Sequence, residues 1–165
     1  VLAQMAGGFT GAVLMYLAYF AHWKITDGEA TKLGVFSTAP AVRNPLANLT
    51  TEIIGTAMLL LGVLGIGFHE GSVSKGDADL SALFANGLAP FLIGLLVFAI
   101  GLSLGGPTGY AINPARDLGP RIAHLLLPIP GKGGSDWGYA WVPVVGPIIG
   151  GVLGSWIWLL TGFGG

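Results

Sequence analysis

The sequence predicts an all-α membrane protein in which one helix enters the bilayer only part way, and three observations carry that reading. Of its 165 residues, 53% are hydrophobic and 9% charged, with a mean hydropathy of +0.75. A soluble domain carries about a quarter charged residues, so this chain has too few to cover a globule. Several apolar runs approach the roughly 20 residues that a bilayer-crossing helix requires. Finally, no residue from Leu80 to Ala115 is charged, a stretch too long for one spanning helix at about 1.5 Å per residue.

Composition also excludes function classes. The formal net charge is −1 and no basic block exists, so no nucleic-acid partner is expected. With no cysteine, thiol catalysis, disulfides and Cys-ligated metals are ruled out. The 29 glycines fit a bundle whose helices approach closely through small residues. No acid–base pair, nucleophile–His pair or metal cluster falls within the apolar runs, because His22, His69 and His124 lie at span ends or in loops. An enzyme is therefore not expected, and no cofactor is.

Taken in order, residues 1–23 form the first span, apolar from Leu2 to Phe20 apart from Gln4 and Thr10. Tyr19 and Trp23 are placed like an interfacial aromatic belt. Ala6-Gly7-Gly8 and Gly11-Ala12 make a small-residue face for a neighbour. Gln4 either faces protein or pore, where lipid cannot strand its amide, or lies near the interface. The chain opens at Val1 inside an apolar run, without a basic leader, and is expected to be the later part of a longer protein.

Residues 24–47 form a polar connector containing Lys24, Asp27, Glu29, Lys32 and Arg43, with Asn44-Pro45 as a turn before the next helix. The second span covers 48–68, capped by Asn48 or Thr50. Glu52 lies just inside it, and an intramembrane acid is either functional or snorkels to the interface. His69, Glu70, Lys75, Asp77 and Asp79 make a solvated loop. A third span is expected at about 87–104 and a last one at about 140–161, separated by a re-entrant segment over 105–127 and an exposed loop over 128–139. Gly146, Gly150 and Gly154, four residues apart, give the last span a close-packing face. Trp141, Trp156 and Trp158 belong to an aromatic belt or to packing. Lys and Arg are shared almost evenly among the loops, so charge does not fix the orientation.

The segment from Gly105 to Asp117 reads Gly-Gly-Pro-Thr-Gly-Tyr-Ala-Ile-Asn-Pro-Ala-Arg-Asp. Gly105, Gly106 and Gly109 permit unusual backbone shapes, and Pro107 argues against a continuous helix. Asn113 is a strong N-cap and Pro114 fits the first helical position. Non-helical backbone at membrane depth is tolerated only where protein buries it or where it lines a watery cavity. The following half-helix aims about half a positive charge into the membrane, and Arg116 adds a full one. Such a site offers donors to neutral hydroxyls and repels cations and protons. The carbonyls of Gly109, Tyr110, Ala111 and Ile112 would supply a row of acceptors, and Asn113 an amide donor.

Asn-Pro-Ala-Arg-Asp, with Gly-Tyr-Ala-Ile before it and Leu-Gly-Pro-Arg after it, resembles the second Asn-Pro-Ala box of the aquaporin family, and more closely its glycerol facilitator branch. Phe36-Ser37-Thr38-Ala39-Pro40 is similar to the long third loop of that branch. The resemblance implies an aquaporin-like helical bundle of two inverted repeats, of which this chain would hold the third helix onward. The first two helices, the first box and one aromatic of the narrow ring would lie outside it. It implies a selectivity ring with Arg116, Tyr110 from the re-entrant loop and Gly101 on the fifth helix, the small Gly101 leaving the width a polyol needs. Asn113, Pro114 and Ala115 would form the box. Glu52 would accept hydrogen bonds from the loop's backbone N–H groups. Asp117 would mark the glycerol branch, or simply be a charge favourable in a first helical turn.

The implied function is a passive channel for glycerol, other small neutral solutes and water, in a multi-pass cell-membrane protein that works in the lipid bilayer as a homotetramer. By the same resemblance, 24–47 and 128–139 would lie outside and 69–86 inside. A mainly water-selective channel is the alternative within the family, and an ion-coupled transporter the alternative outside it.

Overall fold

The computed structural model describes residues 1–69, 73 and 80–162. The expected loop residues Glu70, Lys75, Asp77 and Asp79 lie outside the described residues. Among the described residues six helices follow in order: α1 (Leu2–Ala18), α2 (Glu29–Gly34), α3 (Pro45–Phe68), α4 (Ser81–Thr108), α5 (Pro114–Leu126) and α6 (Val142–Leu160). No strand occurs among the described residues. Helices α3, α4 and α6 are long and apolar enough to cross a membrane, while α1 is an apolar helix of 17 residues.

Several boundaries differ from expectation for identifiable reasons. The first helix stops at Ala18, and the chain turns so that Trp23 folds back, its Nε1–H donating to the Tyr16 carbonyl at 2.9 Å. Trp23 stacks on both Tyr16 and Phe36 and is 3% exposed, so it is a core residue and not a belt residue. Tyr19 and Gln4 are exposed. The connector is not wholly irregular, since it contains α2. Helix α3 begins at Pro45, with Asn44 as its cap and the Asn44 side-chain oxygen accepting from the Ala47 N–H at 3.2 Å. Asn48, one of the expected caps, instead fastens the turn before the helix by bonding the Asn44 N–H and the Val42 carbonyl. Thr50, the other, bonds back to the Leu46 carbonyl within the helix.

Helix α4 starts earlier than expected, passes through a π-helical turn at Phe84–Leu88, and continues through Pro107 to Thr108. A proline in the last turn removes a single helical bond, and its fixed φ suits the helix. The break comes at Gly109, which takes the left-handed conformation (φ 77°) while its N–H closes on the Gly105 carbonyl at 2.8 Å.

Close backbone approach sets the packing. Along α6, a Cβ at Gly146 would stand 2.6 Å from the Glu52 Cβ, and one at Gly154 would stand 2.7 Å from the Ala57 carbonyl. At Gly150 it would meet the Ile53 carbonyl. The matching order of these pairs means that α3 and α6 run side by side in the same direction. Helix α1 meets α5 through Gly8, against the Ala115 carbonyl, and Gly119, against the Met5 carbonyl. Gly7 and Gly11 of the expected small face touch nothing there. A core of Ala12, Tyr16, Trp23, Phe36, Ala123 and Ile129 joins α1 to α5. The segment 128–139 is not a simple exposed loop, because Ile129, Ser135 and Tyr139 are buried in it. Trp141 and Trp156 are exposed, and Trp158 meets Phe68 edge-on at 5.9 Å.

Candidate functional site

Between α4 and α5 the chain is extended and strained. After Gly109, Tyr110 (φ 41°) and Ile112 (φ 44°) also have positive φ. That conformation is uncommon for any non-glycine residue and most costly for a β-branched one, at about 1–3 kcal/mol each. Glu52 compensates. It is 1% exposed, and its two carboxylate oxygens accept the Ala111 N–H at 3.0 Å and the Ile112 N–H at 2.8 Å. Hydrogen bonds to a charged group contribute roughly 1.5–3 kcal/mol each, the same order as the strain. The Ile112 side chain packs on Gly55 of α3, 3.1 Å from where a Cβ would stand.

Fixing the N–H groups also fixes the carbonyls. In a trans peptide, N–H and C=O point in opposite directions. With Ala111 and Ile112 donating toward Glu52, the Tyr110 and Ala111 carbonyls point away from that carboxylate. Beside the loop lies a cleft of about 200 Å³ lined by Leu59, Val97, Tyr110, Ala111, Ile112, Asn113 and Arg116. Five of these residues were singled out by the sequence. Leu59 and Val97, the apolar wall, were not, because an apolar residue on a spanning helix carries no sign of facing a cleft.

Asn113 caps α5, its Oδ1 accepting the Ala115 N–H at 2.9 Å, with Pro114 in the first helical position. Its NH₂ group makes no hydrogen bond to a described residue and is free to donate. Arg116 is exposed, its guanidinium 5.7 Å from the centre of the Tyr110 ring. Ala115 is buried against α1. Gly101 stands behind the ring: a Cβ there would lie 3.1 Å from the Tyr110 Cζ, so the missing side chain is the seat of the aromatic ring.

Asp117 faces away from the cleft, and both it and Arg121 are wholly buried. The Asp117 Oδ2 accepts from the Thr38 N–H and hydroxyl, both at 2.7 Å, and from Arg121 Nη2 at 3.0 Å; Oδ1 accepts from Arg121 Nε at 2.8 Å. Arg121 also donates to the carbonyls of Thr38 (2.9 Å), Ser135 (2.8 Å) and Asp136 (3.0 Å). All five guanidinium donors are thereby used, and the segments around 38 and 135 are tied to α5. Arg121 was missed at the sequence level; its one signal is an acid four residues earlier on the same helix.

The rim of the site is tied in the same manner. Lys132 Nζ donates to the His124, Leu125 and Leu127 carbonyls at 2.6–2.7 Å, closing the end of α5, and burial lowers its ammonium pKa. Lys32 is buried and donates to the Pro130 carbonyl at 2.6 Å. His124, in the last turn of α5, is wholly buried and shares a 2.8 Å hydrogen bond with Ser135 Oγ. Arg43 pairs with Asp136, a hydrogen bond that raises the Arg43 pKa, and lies 5.4 Å from the Tyr139 ring. Burial pushes the Tyr139 hydroxyl above the usual phenol range, and the charges on Glu52 and Asp117 add to the shift.

Comparison with known proteins agrees with this geometry. Over 155 residues the chain is 59% identical to a probable glycerol uptake facilitator protein of Thermotoga maritima, covering 94% of this chain and 61% of that protein. It is 57% identical to a glycerol uptake facilitator protein of Bacillus subtilis, covering 94% and 52%. The chain thus spans between half and two thirds of these relatives' length. Among solved structures, an aquaglyceroporin from Plasmodium falciparum superposes with a TM-score of 0.67 at 28% identity, over 93% of this chain and 59% of that one. The model of the family described as Major intrinsic protein matches residues 1–158. A strained loop held by a buried carboxylate, an Asn-capped half-helix and these matches agree, and the chain is a multi-pass membrane protein of the major intrinsic protein family.

Proposed function

We propose that the chain forms the half of a passive channel that carries glycerol, other small neutral solutes and water, and that excludes ions and protons. The observation that carries this reading is Glu52 holding the Ala111 and Ile112 N–H groups. The carbonyl row is then turned toward a cleft whose other wall is apolar Leu59 and Val97. A polyol has the same two faces, hydroxyls along one side and carbons along the other. Each hydroxyl given up by one carbonyl meets the next, so no deep well forms. Asn113 donates from the start of the half-helix, and Arg116 with Tyr110 forms part of the narrow ring. An ion would lose hydration worth several kcal/mol and meet the positive end of α5 beside Arg116. Segments of the full-length protein complete the conduit, which acts as a homotetramer in the bilayer and performs no chemistry on its solute.

The test is stopped-flow light scattering on proteoliposomes holding the full-length channel, under a glycerol gradient. Glycerol entry well above that of empty liposomes is expected, together with low proton leak. Entry equal to that of empty liposomes would overturn the reading.

A further inference from the structure

The strained loop is held from α3 at its far end, where Glu52 takes the Ala111 and Ile112 N–H groups. Its near end, Gly109, is met by Thr38 of the connector before α3. A Cβ at Gly109 would stand 3.2 Å from Thr38 Cβ and 3.3 Å from Thr38 Cγ2, closer than relaxed carbons approach. Thr38 thus fills the space into which a side chain at 109 would project. The same segment ties the end of α4, since the Ala41 N–H donates to the Pro107 carbonyl at 3.2 Å.

Thr38 is buried, and each of its polar groups is bonded. Its N–H and hydroxyl both donate to Asp117 Oδ2 at 2.7 Å, and its carbonyl accepts from Arg121 Nη2 at 2.9 Å. In a β-branched residue a bonded hydroxyl fixes more than itself. Oγ1 and Cγ2 share one Cβ, so holding Oγ1 on Asp117 leaves the methyl a single direction. Here that direction is Gly109. Asp117 is wholly buried and lies in the first turn of α5. The half-helix therefore reaches back, through Thr38, to the start of the loop that leads into it.

Tyr110 sits between the two anchors. Its ring rests on Gly101 and Gly105, where added Cβ atoms would stand 3.1 and 3.2 Å from ring carbons. Its backbone, at φ 41°, has Gly109 on one side and the Glu52-bound Ala111 on the other. With Ala111 held, any drift of the Tyr110 backbone passes through the Gly109 turn, which Thr38 crowds.

We propose that Thr38 is a positioning and specificity-determining residue for the channel: its methyl group, aimed by Asp117, keeps the Gly109 turn closed and the Tyr110 ring at the width that glycerol passes. This deepens the channel reading above and rests on it for the solute, though not for the placement of Gly109.

Two variants of the full-length channel separate the methyl from the hydroxyl. Thr38→Ser keeps the hydroxyl on Asp117 and loses the methyl, whereas Thr38→Val keeps the methyl and replaces the hydroxyl by a second one. In Thr38→Ser, hydrogen exchange at the Gly109 amide is expected to quicken about fourfold, the worth of one buried methyl group. The permeability ratio of a five-carbon linear polyol to glycerol should rise by a similar factor, as the ring gains room to yield. Thr38→Val should hold both near the unmodified values and lower the melting temperature, because Asp117 loses a donor. A role confined to tying the connector to α5 predicts the reverse order, with Val altering exchange and ratio more than Ser, and that result overturns the proposal. So does either quantity left unchanged by Thr38→Ser. If Thr38→Val does not fold, Thr38→Ser against the unmodified channel decides alone. Absence of glycerol flux in the unmodified channel would instead overturn the channel reading, and exchange at Gly109 would still judge the placement.

Discussion

Gly101→Ala tests how the width of the ring is set. An added Cβ would stand 3.1, 3.3 and 3.4 Å from the Cζ, Cε2 and Cε1 atoms of Tyr110. These approaches fall short of the roughly 3.5–4.0 Å of a relaxed carbon pair, so the ring must shift by a few tenths of an ångström. Its backbone cannot follow, because the next residue is bonded to Glu52. The ring moves instead off α4 and toward Arg116, narrowing the cleft. Protein stability should change little, since overpacking costs about 1–3 kcal/mol and replacing a helical glycine by alanine returns about 1 kcal/mol. Conduction should change more. A polyol must press the ring back into the overlap at every passage, and a barrier raised by about 1–2 kcal/mol slows flux roughly 5- to 30-fold. Stopped-flow glycerol and water permeabilities of the full-length variant, measured on one preparation, give the readout. Glycerol should fall by that factor and water by much less. An unchanged ratio of the two would refute the idea that Gly101 acts by seating the Tyr110 ring.

Three further outcomes follow from the same geometry. Tyr110→Ala should admit bulkier polyols, visible as a raised size cutoff across a series of linear polyols; an unaltered cutoff would count against Tyr110 in the ring. Arg116→Ala, which removes an exposed cation with no carboxylate partner among the described residues, should raise proton leak measured with an internal pH dye and leave thermal stability within about 0.5 kcal/mol; an unchanged leak would count against Arg116 in proton exclusion. Arg121→Met should cost about 3–5 kcal/mol in unfolding, because it strands the buried Asp117 charge, and Asp117→Asn on top of it should recover part of the loss. Equal stability of Arg121→Met and the unmodified protein would show that the buried pair is not holding the segments around Thr38 and Ser135.

Much of this was legible in the sequence because it rests on residues with strong local rules. Asn113-Pro114 starts a helix by capping chemistry alone, the glycine triplet of the last span announces a close partner, and an acid inside an apolar run asks for a purpose. What could not be read depends on long-range partners. Trp23 looks like a belt residue until the chain turns back at Ala18, and Lys32 looks solvated until the Pro130 carbonyl reaches it. Pro107 looks like a helix breaker, yet within the last turn it costs one bond and the break falls to Gly109. Arg121 was given no role beside Arg116, since only the fold turns it into the protein to hold Asp117.

Most cations around the rim grip main-chain oxygens, Arg43 with its Asp136 carboxylate being the exception. Lys32 holds Pro130, Lys132 holds His124, Leu125 and Leu127, and Arg121 holds Ser135 and Asp136, all through backbone carbonyls. A carbonyl is the same whatever side chain its residue bears. The rim is thus fastened by its path and not by its composition, and most side chains along it can be exchanged without undoing a tie. The exceptions are Gly131, Gly133 and Asp136, whose positive φ (60°, 65° and 48°) the path itself demands, and Ser135 and Asp136 for their side-chain bonds to His124 and Arg43. This face of the protein is therefore open to sequence drift, and to new contacts with its surroundings, while the strained loop keeps its shape.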